Sequence, residues 1–298
     1  MMAGMYAAIS GLDANQTMLN ETANNLANVN TVGYKAASVT FADSLTQVMH
    51  GASGPTSTNG GTNTEQIGLG VQVNATVNQM TEGSFQSTND PLDIAIEGPG
   101  FLRVGAGDPE EAELTKNQPA KLEYTRAGDL TTDEDGYLTT QSGEYVIGRQ
   151  AEVASEAETG DTYKPGEKDT YIRIPPGSQN ISIGQDGSVS FTDEEAGEHF
   201  EKRVTAGYVS LATFANEAGL ERLGGSMWGQ TANSGTPIVG TPNTSGFGST
   251  IGGELEMSNV DLATEMTNMI TAERGYQANS RTITTADEML GTLVSMIQ

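Results

Sequence analysis

The sequence contains no cysteine, and this absence limits both its chemistry and its means of stabilisation. Disulfides, thiolate nucleophiles and cysteine-ligated metals are excluded. Aromatic residues make up only 6% of the chain, and its two histidines, His50 and His199, lie far apart without the spacing of a zinc site. We therefore expect no catalytic residues, no bound metal and no cofactor, and a protein that is not an enzyme.

Basic residues and long apolar runs are also scarce. The chain has 14 basic and 39 acidic residues, which gives a net charge of −25. Among the basic residues, only Lys202 and Arg203 are adjacent in the sequence. Because phosphate binding needs clustered lysine and arginine, we expect no nucleic-acid partner. The sequence contains no run of about 18 apolar residues, so no membrane-spanning helix is predicted. The first residues lack the basic and apolar regions of a secretory signal, so we expect no cleaved signal peptide.

Both ends of the chain carry apolar residues at heptad spacing. Such spacing predicts helices that each turn one face toward another helix, either as an internal core or as an intermolecular coil. The first helix is expected over about residues 4–28, closed by the asparagine-rich stretch up to Gly33. The last is expected from Ser258, as its N-cap, to the C-terminus. The residues that we expect at the assembly interface are Ile9, Leu12, Leu19, Leu26, Leu262, Met266, Met269, Tyr276, Ile283 and Leu290.

The middle of the chain has the alternating pattern of β-strands. Residues 71–255 predict a β-rich domain with hairpins around the turns at residues 133–136 and 185–187. Residues 34–70 are expected to be a flexible linking loop, because glycine, serine, threonine and asparagine dominate residues 51–64. The stretch 151–168 is expected to be an acidic, exposed insertion.

One acidic turn invites a metal-binding interpretation. Residues 133–136, Asp-Glu-Asp-Gly, resemble the opening of a calcium loop, and the twelfth residue from Asp133 is Glu144. A calcium loop of that kind needs flanking helices, however, whereas strands are predicted on both sides of this turn. A hairpin turn is therefore favoured. The alternative from a different functional class is a surface adhesin or calcium-binding module that uses the acidic middle.

Several segments resemble one protein family. Residues 23–35, Ala-Asn-Asn-Leu-Ala-Asn-Val-Asn-Thr-Val-Gly-Tyr-Lys, closely resemble the N-terminal signature of bacterial flagellar rod and hook proteins. Near the other end, residues 256–262 and 269–281 agree with the same family. Between them, residues 92–101 and 124–128 look like the family's central domain. The resemblance covers nearly the whole chain, with its motifs in the correct order.

The resemblance implies an α+β fold in which residues 1–33 and 256–298 pair as helices of an inner coiled-coil domain, and residues 71–255 form a β-rich outer domain. It implies a structural subunit that self-assembles into a helical tube of the flagellum. The hook is favoured, because residues 51–71 look like those of the shorter hook proteins, and the distal rod is the alternative.

The partners that this resemblance implies are copies of the same chain, neighbouring axial proteins (rod, hook–filament junction and cap) and the flagellar type III export apparatus. Insertion into a membrane is not expected. The implied location is the extracellular flagellum, at the hook or basal body.

Overall fold

The structure, a computed structural model, describes residues 2–55, 60–107, 121–155, 162–192 and 203–297. The chain forms two compact units. Unit 1 consists of Met1–Asn28, Ala36–Gln79 and Val260–Gln298, and unit 2 of Val29–Lys35 and Met80–Asn259. The α+β class is confirmed: a β-rich body is accompanied by one helix at each end of the chain.

Unit 1 contains the two helices and four of the strands. Their bounds are α1 Met2–Ala27, β1 Ala37–Asp43, β2 Thr46–His50, β3 Glu65–Gly68, β4 Val71–Asn78 and α2 Leu262–Ile297. Alanine, leucine and methionine, all good helix formers, are frequent in both helices. Within the described residues, neither helix is long and apolar enough to cross a membrane.

The strands of unit 1 correct the prediction of a loop over residues 34–70. Strand β1 pairs with β4 and strand β2 with β3, all antiparallel, and backbone bonds of Ser44 to Gly70 and of Leu69 to Leu45 connect the two pairs into one ribbon. The glycine-rich run therefore belongs to the end of a ribbon, of which residues 56–59 lie outside the described part. Alternating residues, such as Val39 and Phe41 before the run and Val71 and Val73 after it, favour the extended backbone.

The base of this ribbon is held to the end of α1. The side-chain amide of Asn25 donates to the carbonyl of Ala37 at 2.8 Å, and its oxygen accepts from the Ala37 amide at 3.1 Å. Near the middle of α1, the Ser10 hydroxyl accepts from the Val71 amide at 3.2 Å. Two separated points on one helix thus fix β1 and β4 beside it.

Unit 2 is built almost entirely of short strands. Their bounds are β5 Phe85–Ser87, β6 Ile94–Glu97, β7 Phe101–Ala106, β8 Lys121–Thr125, β9 Leu130–Thr132, β10 Leu138–Thr140, β11 Tyr145–Ser155, β12 Thr162–Tyr171, β13 Gln179–Ile183, β14 Ser188–Thr192, β15 Arg203–Val209, β16 Leu211–Thr213, β17 Glu221–Gly224, β18 Met227–Gly229, β19 Ile238–Gly240, β20 Ser249–Gly252 and β21 Glu254–Glu256. Among the residues of this unit that the structure describes, one 3₁₀ turn spans Glu217–Gly219.

The strands of unit 2 pair in an antiparallel manner across large sequence distances. Among the described residues, thirteen strands form one sheet whose main path is β13-β14-β15-β11-β7-β8-β18-β17. Strand β20 pairs separately with β6, and β21 with β5, so that the last strands of the unit join its first ones. One apolar cluster includes Ile94, Leu102 and Leu211, and a second, more aromatic cluster includes Tyr124 and Trp228.

The expected turns lie where strands meet. The turn at residues 133–136 joins β9 to β10, with the Gly136 amide bonded to the Asp133 carbonyl at 3.0 Å, and β13 and β14 form the second hairpin. The acidic stretch 151–168 differs from expectation. Its described part is the paired ends of β11 and β12 rather than a loop, while residues 156–161 lie outside the described residues. The pairing continues from that of Ile147 with Tyr171, with register shifts between Arg149 and Ala151 and between Val153 and Ser155.

Candidate functional site: an ionic clasp and a helix pair

The segment that follows α1 is bound tightly within unit 2. Gly33 has a φ of +66°, and a Cβ at this position would lie 2.5 Å from the backbone nitrogen of Ala127. Its amide donates to the carbonyl of Glu256 at 2.8 Å, while the Ser226 hydroxyl donates to the carbonyl of Val32 at 3.2 Å. Glycine is needed here for both its backbone conformation and its lack of a side chain.

A buried ionic cluster lies beside this segment. The Lys35 ammonium is 2.5 Å from Oε1 of Glu256 and donates to the Thr81 carbonyl at 2.8 Å. The side chains of Lys35 and Glu256 are 1% and 0% exposed. Oε2 of Glu256 lies 3.3 Å from Nη1 of Arg126, and Oε1 also accepts from the Gly83 amide at 2.9 Å. One carboxylate thus receives bonds from three separate parts of the chain.

Burial has a direct electrostatic cost in this cluster. Loss of solvent lowers the pKa of Lys35 below its ordinary value of 10.5, and the adjacent Glu256 carboxylate opposes that shift. A buried ion pair adds little net stability compared with a well-packed apolar pair, because both charges lose water. Removing one partner is far more costly, since the other charge is left buried alone. The cluster therefore favours the one arrangement of the chain in which Lys35, Arg126 and Glu256 meet, over any in which one of these charges is buried alone.

Arg222 holds the same segment from a second side. Its guanidinium lies over the rings of Tyr34 and Trp228, with its central carbon 5.0 Å and 5.4 Å from the two ring centroids. It also donates to the Tyr34 hydroxyl at 3.1 Å and to the carbonyl of Lys35. Stacking and hydrogen bonding together fix the planar group, as arginine's geometry allows and lysine's does not.

The segment that leads toward α2 is joined to the same place. The Asn259 side chain donates to the carbonyl and hydroxyl oxygens of Thr81 at 3.0 and 2.9 Å, and its backbone amide donates to the Tyr34 carbonyl at 3.4 Å. The Met257 amide donates to the Ser84 carbonyl at 2.9 Å. We refer to the set Gly33–Lys35, Thr81–Ser84, Arg126 and Glu256–Asn259 as the clasp.

These contacts explain why α2 begins later than predicted. Ser258 does not cap the helix, because its neighbours Met257 and Asn259 are bonded within the clasp. Asp261 takes that role: one carboxylate oxygen accepts from the Ala263 amide at 3.0 Å and the other from the Thr264 hydroxyl at 2.7 Å. These bonds, that from Thr264 first, hold the pKa of Asp261 below 3.8. An aspartate at this position is a common helix cap.

The second feature lies in unit 1, where α1 and α2 contact each other. A Cβ added to Gly11 would lie 2.6 Å from the Asn279 side chain, and one added to Gly275 would lie 2.6 Å from that of Asn15. The Asn25 amide donates to Glu265 at 3.3 Å. As the numbers rise along α1, those of the partners fall along α2, so the helices are antiparallel.

Small and polar residues form this contact. Ala8, Ala14, Thr22 and Asn25 of α1 are buried, as are Ala272 and Ala286 of α2. Together with Gly11 and Gly275, several of them recur at steps of three, a spacing that places side chains on the same face of a helix. Side chains this small allow close helix approach. We call this face the small-residue seam.

The ten predicted assembly residues lie outside the buried part of that seam. Ile9, Leu262 and Met266 are exposed. The other seven are partly exposed: Leu12, Leu19, Leu26, Met269, Tyr276, Ile283 and Leu290. Further large apolar side chains on α2, such as Ile270 and Met289, are exposed as well. The contact between α1 and α2 therefore leaves many large apolar side chains of both helices partly or fully exposed.

Glu265 makes the helix pair sensitive to pH. Burial is the main cause that raises its pKa above 4.5, with a contribution from nearby Glu21, while bonds from Asn25, Asn268 and Thr22 oppose the shift. Between 4.5 and the raised value the folded protein binds more protons than the unfolded chain. Protonated Glu265 therefore makes its complete contribution to the free energy of unfolding below pH 4.5. This contribution is lost as the pH rises through the pKa of the folded state.

We expect Glu265→Gln to raise the melting temperature of the helical signal at pH 7 and to remove that part of its pH dependence. Glutamine keeps an acceptor for Asn25 and carries no charge. Circular dichroism at 222 nm, recorded between pH 4 and 7, measures both effects. Glu273→Gln, at an exposed position on the same helix, is the control. Equal pH profiles for the wild type and Glu265→Gln would contradict the expectation.

The acidic turn at residues 133–136 has ordinary hairpin contacts. The Asp135 carbonyl accepts from the Arg173 side chain at 3.0 Å, and an Asp133 carboxylate oxygen lies 3.4 Å from the Tyr145 hydroxyl. In the part of the chain that the structure describes, no group of three or more acidic or histidine residues is arranged to hold a metal ion.

The clasp was not identified as a site from the sequence. Lys35, Arg126 and Glu256 all lie inside the motifs that carry the family resemblance, but their pairing joins positions far apart in the chain. The available signal was the presence of charged residues inside segments that are otherwise neutral or apolar.

Comparison with known proteins gives matches along the chain. The family models are "Flagella basal body rod protein" over residues 5–35, "Flagellar hook protein FlgE/F/G D1 domain" over 95–191 and "Flagellar basal body rod FlgEFG protein C-terminal" over 251–296. Each match contains one residue of the buried ionic cluster, which consists of Lys35, Arg126 and Glu256.

Curated relatives align over the whole chain. The flagellar basal-body rod protein FlgG of Bacillus subtilis (strain 168) is 39% identical over 99% of both chains, and that of Agrobacterium fabrum 37% identical over 97% of both. The flagellar hook protein FlgE of Borreliella burgdorferi is 28% identical, over 99% of this chain and 100% of the relative. The chain therefore belongs to the flagellar rod and hook family of axial structural proteins.

Proposed function

We propose that this protein is a distal rod subunit of the flagellar basal body that polymerises into a helical tube. The observation that carries the proposal is the exposed apolar surface of two helices whose small-residue seam is already in contact. Met266 is 53% exposed, Ile270 58% and Val294 60%, and isolated soluble helices do not usually present so many large apolar groups. Copies of the same chain are the partners that would cover them.

Rod is favoured over hook because of chain length. The rod relatives align over 297 and 290 residues with nearly complete coverage of both chains. The hook relative needs an alignment of 443 positions, so it carries long stretches that this chain lacks. The hook, predicted from the sequence, is the second candidate. Its support is the resemblance of residues 51–71 to shorter hook proteins.

In the proposed assembly, residues 1–33 and 256–298 supply an inner coiled-coil layer and residues 71–255 a β-rich outer layer, as the family resemblance implies. The neutral, apolar ends suit contact with neighbours, while the acidic middle suits exposure to water. The implied partners are further copies, the adjacent axial proteins and the type III export apparatus. A structural role of this kind needs neither catalysis nor a cofactor.

We expect Met266→Asp to prevent polymerisation while leaving unit 2 folded. A carboxylate buried at a subunit contact costs about 2 kcal/mol or more, which raises the critical concentration by about 30-fold. Sedimentation of purified protein over a concentration series measures the change. Thr271→Asp adds the same charge on another side of the exposed surface of α2 and serves as the control. Normal polymers from Met266→Asp would contradict the proposed interface.

Immunogold labelling of isolated flagella distinguishes the two candidates. Label confined to the segment within the cell envelope supports the rod, and label on the curved segment outside the cell supports the hook. Labelling of neither segment, with the protein present in the cell, would contradict both.

A further inference from the structure

The chain passes between the two units at four places, and the three segments of unit 2 that begin or end there are bonded to one another. The boundaries fall at residues 28/29, 35/36, 79/80 and 259/260. Near them, Lys35 bonds to Thr81 and Glu256, and Asn259 bonds to Thr81 and Tyr34. The clasp thus ties the segment after α1 directly to the segment before α2.

We infer that the clasp is a mechanical clamp. It bears the tension applied at the two ends of the chain, so that the 220 residues between Lys35 and Glu256 do not extend until the clasp opens. Tension enters unit 2 along the segment that ends at Lys35 and leaves along the segment that begins at Glu256. Because these two segments are bonded to each other, the force passes across the clasp. Apart from the residues that bind these two segments directly (Thr81–Ser84, Arg126 and Arg222), residues 36–255 lie outside that path.

The direction of the two segments suits this role. The Gly33 amide bonds to the Glu256 carbonyl, and the Tyr34 carbonyl bonds to the Asn259 amide, so residue numbers rise together across the contact. The segments therefore run the same way. Pulling one toward the N-terminus and the other toward the C-terminus loads their bonds at the same time rather than one after another. The ion pair of Lys35 and Glu256 shares the same load.

Burial protects the bonds between the two segments from competition by water. Lys35 and Glu256 are 1% and 0% exposed, so water cannot replace their bonds before the segments separate. Arg222 adds a second hold on Tyr34 and on the Lys35 carbonyl, and the Arg126 guanidinium secures the other oxygen of Glu256. The inference rests on this geometry alone and is the same for a rod or a hook subunit.

Pulling single molecules of the whole chain by handles at both termini tests the inference. The absence of cysteine allows one added at each end to attach the handles specifically. Before the clasp opens, only residues 1–35 and 256–298 can extend, which gives about 270 Å; the 220 shielded residues add about 750 Å afterwards. The expected record has a force peak at the boundary between these two lengths.

Variants assign that peak to the clasp. Glu256→Gln keeps the size of the side chain and removes its charge, so the peak should move to lower force or disappear. Asp169→Asn is the control: it removes the ion pair with Arg103 at 2.8 Å, which lies in the sheet and outside the clasp. The control should leave the first peak unchanged and weaken only the later unfolding of unit 2.

Arg222→Met provides a second variant, should Glu256→Gln fail to fold. It leaves the ion pair intact and removes the bonds to Tyr34 and Lys35, so the same peak should again weaken. Extension beyond about 270 Å without a preceding peak in the wild type would overturn the inference. So would a first peak that is equal in the wild type and in whichever of Glu256→Gln and Arg222→Met folds.

Discussion

Replacing Glu256 with leucine is expected to destabilise unit 2 by about 3–5 kcal/mol, because Lys35 and Arg126 would be left as buried cations without their carboxylate. Urea unfolding measures the loss. The chain contains a single tryptophan, Trp228, which is 3% exposed in the second apolar cluster of unit 2 and beneath Arg222, so its fluorescence reports on this unit.

A second substitution shows whether the lost stability comes from the unpaired charge. In Lys35→Met/Glu256→Leu the buried ammonium is also gone, and we expect the double variant to recover a large part of the loss. Glu254→Leu, on the same strand and partly exposed, is the control and should change stability by less than about 1 kcal/mol. A loss below about 1 kcal/mol for Glu256→Leu would show that the cluster is not tightly coupled to folding.

The second large effect is expected at the small-residue seam. Gly275→Leu should separate α1 from α2, because even a Cβ at this position lies 2.6 Å from the Asn15 side chain. Overpacking of this kind costs about 1–3 kcal/mol, and a leucine must also displace the closely packed face of α1. Loss of helical signal at 222 nm and a lower melting temperature of that signal measure the effect.

Gly291→Leu is the matched control for this substitution. It lies on the same helix, and an added Cβ would meet no atom within 4 Å. Replacing an exposed helical glycine by leucine is expected to stabilise the helix by about 1 kcal/mol through propensity alone. The two variants should therefore shift the melting temperature in opposite directions. A shift in the same direction would contradict the assignment of the seam.

Local patterns in the sequence predicted much of the fold. Heptad spacing predicted the two terminal helices, and α1 ends at Ala27, close to the expected stop at Asn28. Turn residues predicted the hairpins β9–β10 and β13–β14, since Asp-Gly turns follow from backbone preferences that act within a few residues. The family followed from the motifs themselves.

The ribbon of residues 37–78 shows where local patterns failed. The run of glycine, serine and threonine indicates flexibility, yet the strands on either side of it pair with each other. The pairing depends on contacts with α1 through Asn25 and Ser10, which no local window contains. The start of α2 was misplaced for a similar reason, because the clasp occupies Met257 and Asn259.

By itself, the sequence determined the two terminal helices, the β-rich middle and the family, because heptad spacing, turn residues and motifs are local properties of the chain. Only the tertiary structure decided which helix face is buried. The heptad pattern marks the large apolar residues, whereas alanine, glycine and asparagine lie where the two helices approach each other most closely. The tertiary structure also decided that Lys35, Arg126 and Glu256 meet. Their contact depends on the path of the chain between them, and no spacing in the sequence encodes that path.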